Sequence, residues 1–69
     1  MTVQKAVDLI GTGDSLQEAV TEALDRARMS LEGITGFEVT RISGTVEGAG
    51  TEYRVELRVW FDLRERMHG

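Results

Sequence analysis

Sixty-nine residues make room for one domain, and the chain holds no Cys, no Pro and a single His. Disulfide staples, thiolate metal centres and histidine clusters are thereby excluded. Eight Lys and Arg against twelve Asp and Glu leave a net charge of −4, which argues against nucleic acid as a partner because phosphate binding needs a basic face.

A chain this short buries only about 60% of its unfolded surface. Its expected stability is about 3–10 kcal/mol. Self-association is the remaining common route to stabilise such a small core, so a homo-oligomer is expected. No stretch approaches the ~20 apolar residues of a membrane span. Met1-Thr2-Val3-Gln4-Lys5 runs soon into Asp8 without the apolar core of a signal peptide. A soluble, cytoplasmic protein with no membrane partner is expected.

Residues 3–10 read as a first strand. Val3, Lys5, Val7 and Leu9 share one face, and Gln4, Ala6, Asp8 and Ile10 the other. Gly11-Thr12-Gly13-Asp14 reads as a turn; two lone glycines without a following Gly-Lys-Ser/Thr are no phosphate loop. Ser15 with Glu18 three residues on is a capping-box pattern that opens a helix. Leu16, Val20, Ala23, Ala27 and Leu31 then repeat at helical period and form its apolar stripe. Glu22 with Arg26, and Arg28 with Glu32, stand four apart and are expected to pair across a solvated face. Gly33 is expected to cap the C-terminus.

Residues 37–47 form the second strand. Its alternation slips after Val39, which predicts a β-bulge near Thr40-Arg41. Gly48-Ala49-Gly50-Thr51 is a loop joining it to an antiparallel third strand, residues 53–63. In that strand Tyr53, Val55, Leu57, Val59, Phe61 and Leu63 alternate with Arg54, Glu56, Arg58, Trp60 and Asp62. One face is apolar and needs a cover. The other carries charges and the chain's one Trp, and is left for partner subunits or a ligand. Residues 1–2 and 64–69 are expected to fray, and His68 is surface decoration. The expected fold is α+β, a β-α-β-β unit with a three-stranded antiparallel sheet wrapped around one helix, in a single domain over residues 1–69.

The order of elements, with Ile10-Gly11-Thr12 before the helix, Ala23-Leu24-Asp25-Arg26-Ala27-Arg28 within it and Gly36-Phe37-Glu38-Val39 after it, resembles the dodecin family. Ile42-Ser43-Gly44-Thr45-Val46, Glu52-Tyr53-Arg54-Val55 and Val59-Trp60-Phe61-Asp62-Leu63 are similar too. The resemblance spans residues 3–63. It implies twelve subunits assembled into a hollow sphere that stores or sequesters flavin, riboflavin or FMN, without turnover.

The family's flavin-site positions here are Gly36, Phe37, Glu38 and Arg54. Flavin binders carry Trp where this chain has Gly36, and two symmetry-related indoles sandwich the flavin rings. They carry Gln where it has Arg54. Glycine offers none of the stacking energy. Arginine only donates and always carries charge, whereas Gln also accepts. Positions that are basic in some nucleotide-binding members are Ser43 and Asp62. Trp60 stands where flavin binders have a small residue. Six residues of strand, roughly 20 Å, separate it from Arg54. On this reading it does not fill the gap at Gly36 within one subunit but plugs a contact between subunits.

The expected function is therefore binding and storage of a small molecule by a dodecin-like dodecamer with a degraded flavin site. The alternative is a flavin-free assembly with Glu56, Arg58, Trp60 and Asp62 on its ligand or interface face. Arg54 and Arg58 would hold an anion bidentately, or Arg54–Glu56 and Arg58–Asp62 pairs across symmetry axes would make the face structural. Converging copies of Glu38, Glu56 and Asp62 would suit calcium. No catalytic residues and no metal site within the chain are expected: nothing combines a His with a carboxylate, or a Ser with a base, in a catalytic pattern.

Overall fold

The computed structural model describes residues 2–64. The elements run β1 (Thr2–Gly13), α1 (Leu16–Ser30), β2 (Ile34–Glu47) and β3 (Gly50–Arg64). The three strands form one antiparallel sheet in the order β1-β3-β2. The strand with the cleanest alternation thus lies in the middle, where both its faces and both its edges are used. Among the described residues no helix is long and apolar enough to cross a membrane.

α1 begins as its sequence dictates. The Ser15 hydroxyl accepts from the Glu18 amide at 3.1 Å. The returning carboxylate lands one residue early, accepting from the Asp14 amide at 2.9 Å rather than from that of Ser15. Replacing Ser15 with Ala should cost about 1 kcal/mol. Urea unfolding measures it, and a loss below about 0.3 kcal/mol would mean the cap is idle. At the other end Leu31, not Gly33, caps the helix, its amide bonding the Ala27 carbonyl. Gly33 follows with φ +72° and turns the chain into β2. The helix ends too soon for Glu32 to meet Arg28, which pairs instead with Asp25 at 3.4 Å. Glu22 and Arg26 do pair.

β1 is longer than its pattern suggests, because Gly11 and Gly13 belong to the strand and not to a turn. The reason is packing. A Cβ on Gly11 would lie 2.0 Å from the Ala19 carbonyl oxygen and 2.9 Å from the Ala23 Cβ. The helix rests directly on the bare backbone of the strand. Its buried ridge is accordingly Ala19, Ala23 and Ala27, with Val20, Leu24 and Leu31 to the side and Leu16 exposed. Against this ridge lie Val55, Leu57 and Val59 of β3, completing the core.

Helix side chains also close the free edge of β1. Glu22 Oε1 accepts from the Thr12 amide at 3.1 Å, and the Arg26 guanidinium donates to the Ile10 carbonyl. Capping these two backbone groups hinders strand addition at the Ile10–Thr12 end of the edge. At the open ends of β1 and β3, Thr2 stands opposite Arg64 in the pairing register. The expectations for Met1 and for residues 65–69, His68 included, lie outside the described residues.

β2 and β3 are joined by Gly48 and Ala49 alone, with Glu47 opposite Gly50. Gly48 has φ +57°, as the first position of a type II′ turn requires. The bulge falls at Thr40: Val39 pairs with Leu57 and Arg41 with Glu56. The Thr40 hydroxyl donates to the Glu56 carbonyl at 3.0 Å and closes the gap in the ladder. A second shift separates Ile34 from Gly36.

Length decides what remains uncovered. A 15-residue helix spans about 22 Å, whereas a 15-residue strand spans about 50 Å. The helix packs on β1 and β3 and leaves β2 largely bare. Phe37, Val39, Ile42 and Val46 lie on the helix side of the sheet yet are 46%, 37%, 56% and 76% exposed. Beyond Tyr53, where β1 ends, residues 44–52 continue as a two-stranded arm.

Candidate functional site

The side of the sheet away from the helix is organised in rows across β1, β3 and β2. In chain order along β3 the rows are Thr12–Arg54–Ser43, Ile10–Glu56–Arg41, Asp8–Arg58–Glu38 and Ala6–Trp60–Gly36, then Gln4–Asp62. Alternation puts every predicted β3 residue, Arg54, Glu56, Arg58, Trp60 and Asp62, on this face.

Charges within the rows pair across strands. Arg58 Nε bonds Asp8 Oδ1 at 3.1 Å, and Glu38 stands on its other side. The bond to Asp8 and its charge, reinforced by Glu38, hold the Arg58 guanidinium above its ordinary value against a small opposing effect of desolvation. A raised arginine stays charged at every accessible pH, so titration of Arg58 itself adds no pH dependence to stability in that range. Arg41 lies 3.9 Å from Glu56. Within one chain, then, Arg58 pairs with Asp8 rather than Asp62, and Glu56 with Arg41 rather than Arg54. These partners come from β1 and β2, which spacing along β3 alone does not reveal. Arg54 has no carboxylate in its row and makes no ion pair among the described residues.

The positions named from the resemblance are dispersed within one chain, and one expectation, that for Trp60, changes. Phe37 pairs with Val59 on the helix side, so the sheet separates it from Gly36 and Glu38. Gly36 and Arg54 stay apart within one chain, their rows centred on Trp60 and Arg54 with five residues of β3 between them. Trp60 lies directly opposite Gly36, where the expectation had kept it away from that gap. Gly36 lies in the row of Trp60 and not in that of Arg54, so the distance along β3 between Trp60 and Arg54 does not separate Trp60 from Gly36. The two-residue turn at Gly48-Ala49 and the extra residue at Thr40 together set position 36 opposite position 60, and alternation along the strands fixes neither. No group of three or more Asp, Glu or His side chains among the described residues stands close enough to hold a metal ion. Glu38, Glu56 and Asp62 lie on different rows.

The sequence profile of the Dodecin family matches residues 3–64. The chain belongs to the dodecin family. The dodecin of Thermus thermophilus is 46% identical over 65 residues, 91% of this chain and 94% of that protein. A crystal structure of a point mutant of Thermus dodecin superposes with a TM-score of 0.88 at 45% identity, covering 94% of this chain and all of the other. The calcium dodecin of Mycobacterium tuberculosis is 39% identical over 66 residues, 93% of each chain. Its crystal structure, that of a calcium-chelating antigen with a novel calcium-binding site, gives a TM-score of 0.78 at 36% identity, covering 97% of this chain and 99% of the other. The β-α-β-β dodecin fold expected from the sequence is thus the fold observed.

Gly36 has an ordinary backbone, and a Cβ there would meet nothing within 4 Å. There is thus room for a side chain at position 36 within one chain.

Proposed function

We propose that this dodecin is a small-molecule binding and storage protein, not an enzyme, which closes with copies of itself into a hollow dodecamer and whose inherited flavin site is weakened. The observation that carries this reading is the uncovered β2. Phe37, Val39, Ile42 and Val46 on its helix side are 37% to 76% exposed in the single chain. Each stands to gain on the order of 1 kcal/mol on full burial. A subunit with so small a core of its own is completed by its neighbours. The missing indole at Gly36 and the charged Arg54 support weak binding of riboflavin or FMN.

A second reading rests on the charge rows. Asp8–Arg58 and Arg41–Glu56 make much of the outer face self-satisfied, which fits a flavin-free assembly. In that assembly Arg54, between the Thr12 and Ser43 hydroxyls, would take an anion. Converging copies of Glu38, Glu56 or Asp62 would take a divalent cation such as calcium.

Native mass spectrometry of protein purified from its own host tests both readings. Twelve subunits with a retained organic mass is the result expected from storage. Twelve subunits retaining only metal or nothing favours the second reading. A folded monomer at low micromolar concentration ends both.

A further inference from the structure

The helix seats on the bare backbone of an edge strand, at Gly11, and not on the middle of the sheet. That seat brings Glu22 and Arg26, one helical turn apart, to the free edge of β1. Glu22 Oε1 accepts from the Thr12 amide at 3.1 Å. The Arg26 guanidinium donates to the Ile10 carbonyl. The two side chains also hold each other, Arg26 Nε lying 2.5 Å from Glu22 Oε2.

Donor and acceptor stand where a further strand would put them. In a parallel ladder one residue of the incoming strand donates to the carbonyl before its partner and accepts from the amide after it. Around Gly11 those two groups are the Ile10 carbonyl and the Thr12 amide. The guanidinium takes the donor's place and the carboxylate takes the acceptor's. An antiparallel newcomer is hindered as well, because Ile10 and Thr12 would each offer it only half of a bonded pair.

The stretch so covered has little other protection. Leu9-Ile10-Gly11-Thr12-Gly13 carries no charge, and Ile10 is 42% exposed. Further along the same strand Lys5 and Asp8 are exposed, and charged side chains on an edge discourage pairing by themselves. An uncharged, partly apolar edge is a template for another strand.

We propose that Glu22 and Arg26 together form an edge guard: they stand in for one residue of a fourth strand and keep β1 of one copy from pairing with β1 of another. The guard limits association rather than driving it. It acts in the same way whether the assembled protein holds a small molecule or none.

Exchanging the two residues, Glu22→Arg with Arg26→Glu, removes the stand-in and little else. Composition, net charge and an ion pair four residues apart on the helix are all kept. Donor and acceptor then face the wrong backbone groups, and the carboxylate starts one helical turn away from the Thr12 amide. Amide hydrogen exchange resolved to single residues follows Thr12, and sedimentation velocity over a range of concentrations follows association. The Thr12 amide is expected to exchange at least about tenfold faster in the exchanged protein than in the parent. Species heavier than the parent assembly should appear and grow with concentration, while far-UV circular dichroism keeps the parent's helix signal.

Parent-like exchange at Thr12 would mean that the carboxylate does not cap the edge. Faster exchange without heavier species would mean that the edge needs no guard. Either result overturns the assignment. Should the exchanged protein fail to fold, Glu22→Ala, which favours the helix, goes through the same measurements and is judged by the same two outcomes.

Discussion

Gly11→Val should cost about 3 kcal/mol or more, or prevent folding outright. The first added carbon would lie 2.0 Å from the carbonyl oxygen of Ala19, at the end of the first turn of the helix, and 2.9 Å from the Ala23 Cβ. Backbone cannot swing aside as a side chain can. Relief requires lifting α1 off the sheet, and Ala19, Ala23 and Ala27 would then lose contact with Val55, Leu57 and Val59. Against a total of about 3–10 kcal/mol that is a large fraction. Urea unfolding at fixed subunit concentration measures it, since assembly makes apparent stability depend on concentration. A loss below about 1 kcal/mol would show that the helix can slide without penalty and that the close approach is not what holds it.

The double change Gly36→Trp with Arg54→Gln should raise riboflavin affinity about tenfold or more over a parent that binds weakly. Each aromatic pair contributes roughly 0.5–1.5 kcal/mol beyond burial, and two symmetry-related indoles acting together would reach the ~1.4 kcal/mol that a tenfold change needs. The space for a side chain at Gly36 exists. Its neighbour is the complication. A new indole at 36 would stand beside Trp60, so the full gain is expected only when Trp60→Gly is added. Quenching of flavin fluorescence reads both steps. Unchanged affinity in the triple variant would mean that the pocket between subunits has changed shape as well as chemistry.

Much of the fold was legible because local chemistry and global position agree. Tyr53 to Leu63 alternates without a break and becomes the central strand. Ser15 and Glu18 announce the helix start. The slip after Val39 becomes the bulge at Thr40. Errors cluster where a residue's role depends on what packs against it. Gly11 and Gly13 look like a turn, yet they are strand residues left bare so that a helix can sit on them. Ala19 carries no obvious weight in the apolar stripe, yet it is fully buried while Leu16 is exposed. Close approach favours the smallest side chain, and hydrophobicity alone ranks the two the other way.

The candidate site divides along the same line. That Gly36 and Arg54 replace residues suited to flavin follows from the resemblance, and that Arg54 to Asp62 share one face follows from alternation. Neither pattern says which residues meet across strands. By itself the sequence determined the class of fold, the family and the two-sided character of the central strand, because each is written in spacing along the chain. Only the tertiary structure decided that Trp60 faces Gly36, that Arg58 belongs to Asp8 and that Phe37 lies on the far side. Those relations depend on pairing register, and each residue inserted at a bulge shifts every pair beyond it.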